Sequence, residues 1–164
     1  MIQDLLDIFY IYKRQSLQRG FWAVFRLFIL PLSKIDSKIP KSGLIIEIGC
    51  GSGGLSNYLS MRSGKRKVLG IDISENRIKI AKRSAGNRKS VKFIKGDATK
   101  IRIPKSDAFL IVDVLHHIPY KGQIKLLGAL VKNMNKKTVF IIKDVDPSNK
   151  FPFLFGNIIE KILY

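Results

Sequence analysis

Cysteine is almost absent from this chain. Cys50 is the only one, so no disulfide can close within the chain and no cysteine-based zinc pattern can be assembled. Histidine is nearly as scarce: His116 and His117 are the only two. Adjacent imidazoles have poor geometry for a shared metal without further ligands, so metal chemistry is not expected. Long apolar runs are missing as well. The stretch Phe21 to Leu32 is interrupted by Arg26 and falls short of the ~20 residues that a bilayer crossing requires. The opening Met1-Ile2-Gln3-Asp4 lacks the basic leader of a secretory signal. Together these features lead us to expect a reducing, cytoplasmic setting, with contact at the periphery of a membrane as its variant. There is no internal repeat and no low-complexity tract.

Acidic residues are few. Twelve Asp and Glu face thirty Lys and Arg, for a net charge of +18 in 164 residues. The excess is uneven: residues 77–105 hold eleven Lys or Arg against Asp97 alone, and residues 121–137 add five lysines and no acid. Such charge favours nucleic acid, anionic membrane or acidic substrates. It also fits a generally lysine-rich chain. Without a zinc-finger or helix-turn-helix signal, nucleic acid rests on charge alone and ranks below a small molecule. With 46% hydrophobic and 26% charged residues, the chain has the composition of a folded domain with a real core.

What is present is an alternation of strands and helices. Residues 1–40 form a helical N-terminal region, with Leu5, Leu6, Phe9 and Tyr10, then Phe21, Trp22, Phe25, Phe28 and Ile29, at helix-compatible spacing. An aromatic face beside Arg14, Arg19, Arg26 and Lys34 suits a cover over a binding cleft, and it also suits a helix lying in a membrane interface. From residue 41 onward the pattern turns regular. Leu44–Ile48, Lys67–Ile71, Val91–Ile94, Ala108–Val112 and Thr138–Ile142 read as strands. Gly54–Met61, Glu75–Ser84 with Ser74 as N-cap, Tyr120–Val131 and Phe153–Leu163 read as helices. That order predicts an α/β fold with an open, mostly parallel sheet flanked by helices.

Function in such a sheet belongs beyond the carboxyl ends of the strands. Four polar features fall there. The first is Glu47-Ile48-Gly49-Cys50-Gly51-Ser52-Gly53-Gly54, a glycine turn between strand and helix that allows close ligand approach. The second is Asp72, 23 residues after Gly49, where a carboxylate can accept both hydroxyls of a ribose. The third is Gly96-Asp97-Ala98, with Asp97 able to accept an amino hydrogen from a purine. The fourth is Asp113 to His117. Gly49, Gly51 and Gly54 also satisfy the dinucleotide G-x-G-x-x-G spacing, so the glycines alone do not separate a nicotinamide dinucleotide from another adenosine-containing cofactor. An imidazole titrates near neutrality, so a histidine here suits a general base, and it also suits plain site architecture. Asp144, at the end of the fifth strand, can bind a substrate hydroxyl or amine, act as a base, or simply be a solvated turn acid.

The four blocks in order, including Gly70-Ile71-Asp72-Ile73-Ser74 and Val112-Asp113-Val114-Leu115-His116-His117-Ile118-Pro119, resemble the class I S-adenosylmethionine-dependent methyltransferases. More narrowly, they resemble the small-molecule group known by its methyltransferase domain. The resemblance runs from about Leu44 to Asp144 and implies a Rossmann-like methyltransferase domain over residues 41–164. It implies that the loop with Gly49, Cys50, Gly51 and Gly53 takes the methionine part of S-adenosylmethionine and that Glu47 orients that site. Asp72 would take the ribose hydroxyls, Ile73 would pack near the adenine, and Asp97 with Ala98 would meet its edge. Asp113 would line the cofactor, while His116 and Asp144 would face the acceptor. Methyl transfer to a small-molecule or lipid-like acceptor is the implied activity. An NAD-linked oxidoreductase, or a non-catalytic basic module binding nucleic acid or membrane, is the alternative.

The family sheet usually ends in an antiparallel pair after its fifth strand, and here no segment remains for one. The domain is therefore expected to be C-terminally shortened, with the fifth strand an edge that a homo-oligomer, the N-terminal region or the last helix would cover.

Overall fold

The computed structural model describes residues 2–144, so the helix expected at Phe153–Leu163 lies outside the described residues. The run Leu44–Ile48 is apolar except for Glu47, and it forms the central strand, β1 (Gly43–Ile48). Its register is parallel to β2 (Arg66–Asp72) on one side and to β4 (Ala108–Val112) on the other. β3 (Val91–Lys95) adds outside β2, and β5 (Val139–Lys143) outside β4, giving the order β3-β2-β1-β4-β5 with every pairing parallel. All five residues of β4 are buried, as a parallel strand covered on both faces requires. The expected open α/β sheet is therefore present. Among the described residues the sheet ends at β5, whose side chains are only partly covered.

Period-two alternation divides the sheet side chains into two cores. Ile45, Val68, Leu110 and Phe93 face one layer, which also contains the N-terminal helices, α4 (Gly54–Arg62) and α5 (Glu75–Ala85). Ile46, Ile48, Ile71, Phe109 and Ile111 face α6 (Tyr120–Lys132), which inserts Leu126 and Leu130. α4 has no amphipathic stripe, since Leu55 through Ser60 are all buried. It is enclosed between the sheet and two N-terminal helices, which removes any need for a polar face. Ser74 caps α5 by accepting the Arg77 backbone N–H, as its sequence position predicts.

Three helices form the N-terminal region: α1 (Ile2–Lys13), α2 (Leu17–Phe28) and α3 (Leu32–Lys38). They share the first core through Ile8, Tyr12, Ala23, Leu27 and Ile35. The inward positions of α2 are small or aliphatic (Gly20, Ala23, Leu27), which lets it approach α1 closely. Its phenylalanines Phe21, Phe25 and Phe28 point outward instead, while Trp22 is half-buried.

α1 also reaches the glycine turn. The Tyr12 hydroxyl donates to the Ser52 carbonyl at 2.6 Å and accepts from Asn57 and Ser84. Burial pushes this phenol far above its usual range, so it stays a neutral donor. Among the described residues no helix is long and apolar enough to cross a membrane.

Candidate functional site

The sheet order reverses between β1 and β4, and a cavity of about 730 Å³ opens at their carboxyl ends. Its walls come from every expected block. Gly49 and Gly51 line it from the glycine turn, Asp72, Ile73 and Ser74 from the end of β2, and Gly96, Asp97, Ala98 and Thr99 from the end of β3. Asp113, Val114, His117, Ile118 and Pro119 line it from the end of β4. Ile48 and Ile71 at the ends of β1 and β2, Arg77 on α5, Gly122 on α6 and Arg26 on α2 complete it.

The turn after β1 is held by its own backbone. The amides of Gly49 and Cys50 both donate to the Ile71 carbonyl, at 2.7 and 3.0 Å. Gly51 is in the left-handed region (φ +55°), and nothing lies within 4 Å of where a Cβ would stand. That open cradle leaves room for a ligand to approach the main chain. Gly53 (φ +86°) has a different reason: a Cβ there would meet the Phe93 ring at 2.5 Å. Its role is to let α4 begin against β3.

Asp72 ties the two sides of the cavity together. One carboxylate oxygen accepts the Gly51 amide and the other the Ser74 amide, both at 2.8 Å. Each oxygen retains a lone pair that can accept a hydroxyl, the pattern that a ribose needs. Asp97 accepts from the Thr99 hydroxyl and amide and pairs with Lys100. Those hydrogen bonds hold its carboxyl below the usual range. Asp113 takes the left-handed conformation (φ 55°), rare outside glycine but tolerated by aspartate. Its amide donates to the Lys143 carbonyl at 2.8 Å, and its carboxylate receives the Lys143 ammonium at 2.5 Å.

Glu47, Cys50 and Gly53 are not among the cavity's lining residues; they lie behind the turn. Glu47 is buried and accepts the Ser56 hydroxyl at 2.5 Å. Burial lifts its carboxyl to about 7, against the opposing influence of Ser56 and the Arg26 charge. The folded state therefore favours the protonated acid. Its contribution is fully present below about pH 4.5 and is lost as pH rises through about 7, amounting to about 3 kcal/mol. Urea unfolding at pH 5 and pH 8 should show this decline, and Glu47→Gln should flatten it. An unchanged pH slope in the variant would refute the assignment. Burial also raises the Cys50 thiol well above its usual value, making it an unreactive packing group.

His116 and Asp144 meet each other, with the imidazole Nδ1 at 2.5 Å from the carboxylate, while the Asp144 side chain also accepts the His116 amide. Neither belongs to the cavity wall. His117 does, and its ring lies 3.9 Å from that of His116, centroid to centroid. The sequence therefore located the histidine-bearing strand end, but the wall position falls to the second histidine. Arg26, Arg77 and Gly122 are wall residues that the sequence did not single out as site residues, although Arg26 lies on the helix expected as a cleft cover. No local pattern marks Arg26 as a wall residue, because it lies more than twenty residues before the glycine turn. Among the described residues no group of three or more His, Cys, Asp or Glu is placed to hold a metal ion.

The methyltransferase domain family matches residues 45–137. A probable ribosomal RNA small subunit methyltransferase A of Pyrococcus furiosus is 34% identical over 103 residues, covering 63% of this chain and 35% of that protein. An rRNA adenine N-6-methyltransferase of Bacillus licheniformis is 30% identical over 89 residues, covering 54% of this chain and 29% of that one. The chain thus spans about a third of the length of these curated relatives. Among solved structures, a protein of Pyrococcus horikoshii OT3 superposes with a TM-score of 0.68 at 28% identity, over 80% of this chain and 63% of that one. A methyltransferase of Thiobacillus denitrificans, solved with S-adenosyl-L-homocysteine, shares the fold with a TM-score of 0.55 at 24% identity, over 69% of this chain and 48% of that one. The family match covers more than half of the chain, and the sheet order and strand-end acids agree with it: the chain belongs to the methyltransferase domain family, within class I of the S-adenosylmethionine-dependent methyltransferases.

Proposed function

We propose that the protein transfers a methyl group from S-adenosylmethionine to a small-molecule or lipid-like acceptor. The observation that carries this reading is the Asp72 carboxylate, anchored by two backbone amides beside an open glycine cradle. A cavity of this size and lining fits the cofactor. Gly49 and Gly51 offer main chain to its methionine part, and Glu47, Cys50 and Gly53 support that loop from behind. Arg26 adds a cation on the same side, suited to a carboxylate. Asp72 takes the ribose hydroxyls, Ile73 packs near the adenine, and Asp97 with Ala98 meets its edge. Asp113 closes the cofactor side at the switch point.

When bound, the cofactor supplies an electrophilic methyl group on a sulfonium. The chain's task is then to hold an acceptor in line behind the S–CH₃ bond and to exclude water, since positioning supplies much of such a rate. His117 lies on the wall where an acceptor would enter. Asp144 holds His116 by Nδ1, which fixes the orientation of the ring. His116 and Asp144 then act from behind that wall, where the His116 ring packs on His117 and Asp144 orients it.

A second reading is favoured by the names of the Pyrococcus furiosus and Bacillus licheniformis relatives, which are those of rRNA methyltransferases: an RNA acceptor, consistent with the net charge of +18. Calorimetric titration with S-adenosylhomocysteine and NAD, followed by transfer of labelled methyl to lipid, small-molecule and RNA fractions, tests both. Binding of the first ligand, with label outside RNA, is expected. Binding of NAD alone would overturn the cofactor, and label in RNA would move the acceptor to the second reading.

A further inference from the structure

The outward side of the N-terminal helices carries more exposed apolar surface than any other part of the described chain. On α2, Leu17, Phe21, Phe25 and Phe28 recur at spacings of four, four and three, which makes one continuous stripe. Phe28 is 74% exposed and Phe21 63%. On α1, Ile2, Leu6 and Tyr10 make a second exposed stripe. Phe9 joins the two, with its ring edge-on to Phe21 at 5.1 Å and to Tyr10 at 5.8 Å. Buried aromatics would be ordinary core. These sit opposite the core-facing positions of their helices.

Charge decides what such a face meets. The Lys13 ammonium stands 5.8 Å from the centroids of both Phe9 and Tyr10, at the end of the α1 stripe, and exposed Arg14 follows it. From residue 13 to 38 there are six cations and one acid, Asp36, which is buried against Arg66. The two acids of α1 sit off the stripe: Asp4 pairs with Arg62, and Asp7 accepts from Gln3. A second copy would bring two chains of net charge +18 together around the same cations, which like-charge repulsion opposes. RNA would use the rings by stacking, but Ile2, Leu6 and Leu17 offer bases no π-face. An anionic lipid surface accepts both halves of the pattern, apolar side chains into the acyl boundary and cations among the headgroups.

We infer that the exposed α1–α2 face docks the protein on anionic membrane. The docked helix is the one that also supplies Arg26 to the cavity wall, so the cavity sits beside the bilayer.

Co-sedimentation of the full chain with phosphatidylcholine vesicles, with and without phosphatidylglycerol, tests it. Binding should require the anionic lipid and weaken with salt. Phe21→Ser/Phe28→Ser should reduce it by about tenfold or more, and Lys13→Glu/Arg14→Glu should reduce it by about tenfold. Both variants should keep the wild-type circular dichroism and affinity for S-adenosylhomocysteine, which separates this result from any failure of the cofactor reading. Vesicle binding that survives both variants would overturn the proposal. So would light scattering that shows a dimer abolished by Phe21→Ser/Phe28→Ser without vesicle binding, or binding to RNA alone.

Discussion

Replacing Arg66 with alanine should lower the unfolding free energy by about 3–5 kcal/mol, readable as a shift of the urea midpoint at unchanged slope. Arg66 opens β2 and is fully buried. All five of its N–H donors have acceptors. Nε donates to the Pro40 carbonyl, one terminal nitrogen to the Asp36 carboxylate and the Leu59 carbonyl, and the other to the carbonyls of Asp36 and Ile39. The guanidinium thereby pins α3 and the chain after it to the end of the sheet opposite the cavity. Burial by itself would raise the Asp36 carboxyl, but hydrogen bonds and charges from Lys41 and Arg66 outweigh it and hold it below its usual range. Alanine leaves that carboxylate with only its peripheral partners Lys41 and Arg62, and it strands several buried carbonyls. Should Arg66→Ala fail to fold, Asp36→Leu/Arg66→Met supplies the second measurement. Removing both charges while keeping the volume should recover part of the loss. A single-variant cost below about 1 kcal/mol would place the network at the level of a surface pair and refute this reading.

The second large effect lies at the other end of the same strand. Asp72→Ala should weaken S-adenosylhomocysteine binding by about 10²–10³-fold, because two hydrogen bonds to a charged acceptor contribute about 1.5–2 kcal/mol each. It also frees the Gly51 and Ser74 amides that the carboxylate now holds. Asp72→Asn is the sharper probe. Its amide group must face one of those two backbone donors, donor against donor, so the shape is kept while one anchor is lost. About tenfold weaker binding is expected, with the fold intact by circular dichroism. Equal affinity in wild type and Asp72→Ala would remove Asp72 from the cofactor site. Comparison with Arg66→Ala separates the two ends of β2: Arg66→Ala changes stability and spares the affinity of the folded protein, while the larger effect of Asp72→Ala is on affinity.

The sheet was legible because its strands are short apolar runs bounded by glycine, charge or proline, and a parallel strand leaves that signature without help from distant residues. Ser74 as the α5 cap was legible for the same reason, since capping spans only three residues. Thr138–Ile142 was displaced by one residue from the observed Val139–Lys143, because both edges of that strand are polar and nothing local marks the boundary. The aromatic groups of α1 and α2 were visible as helical, but their orientation was not. Period alone does not say whether Phe21 and Phe28 or Ala23 and Leu27 face the core; the second set does, because Gly20 and Ala23 on that side let α2 pack close to α1.

The same division runs through the site. The residues at strand ends, Gly49, Gly51, Asp72, Asp97 and Asp113, follow from the chain order alone, since parallel strands deliver their carboxyl ends to one side of the sheet. Arg26 on the cavity wall, Tyr12 on the Ser52 carbonyl and the choice of His117 over His116 do not follow from it. Each depends on where a helix distant in sequence packs or on which way a single turn rotates, and both are decided by the burial of many side chains together. The sequence by itself determined the kind of sheet and the end at which it binds. Only the tertiary structure decided which side chains outside the strands complete the cavity, because those contacts join residues whose order along the chain carries no record of their meeting.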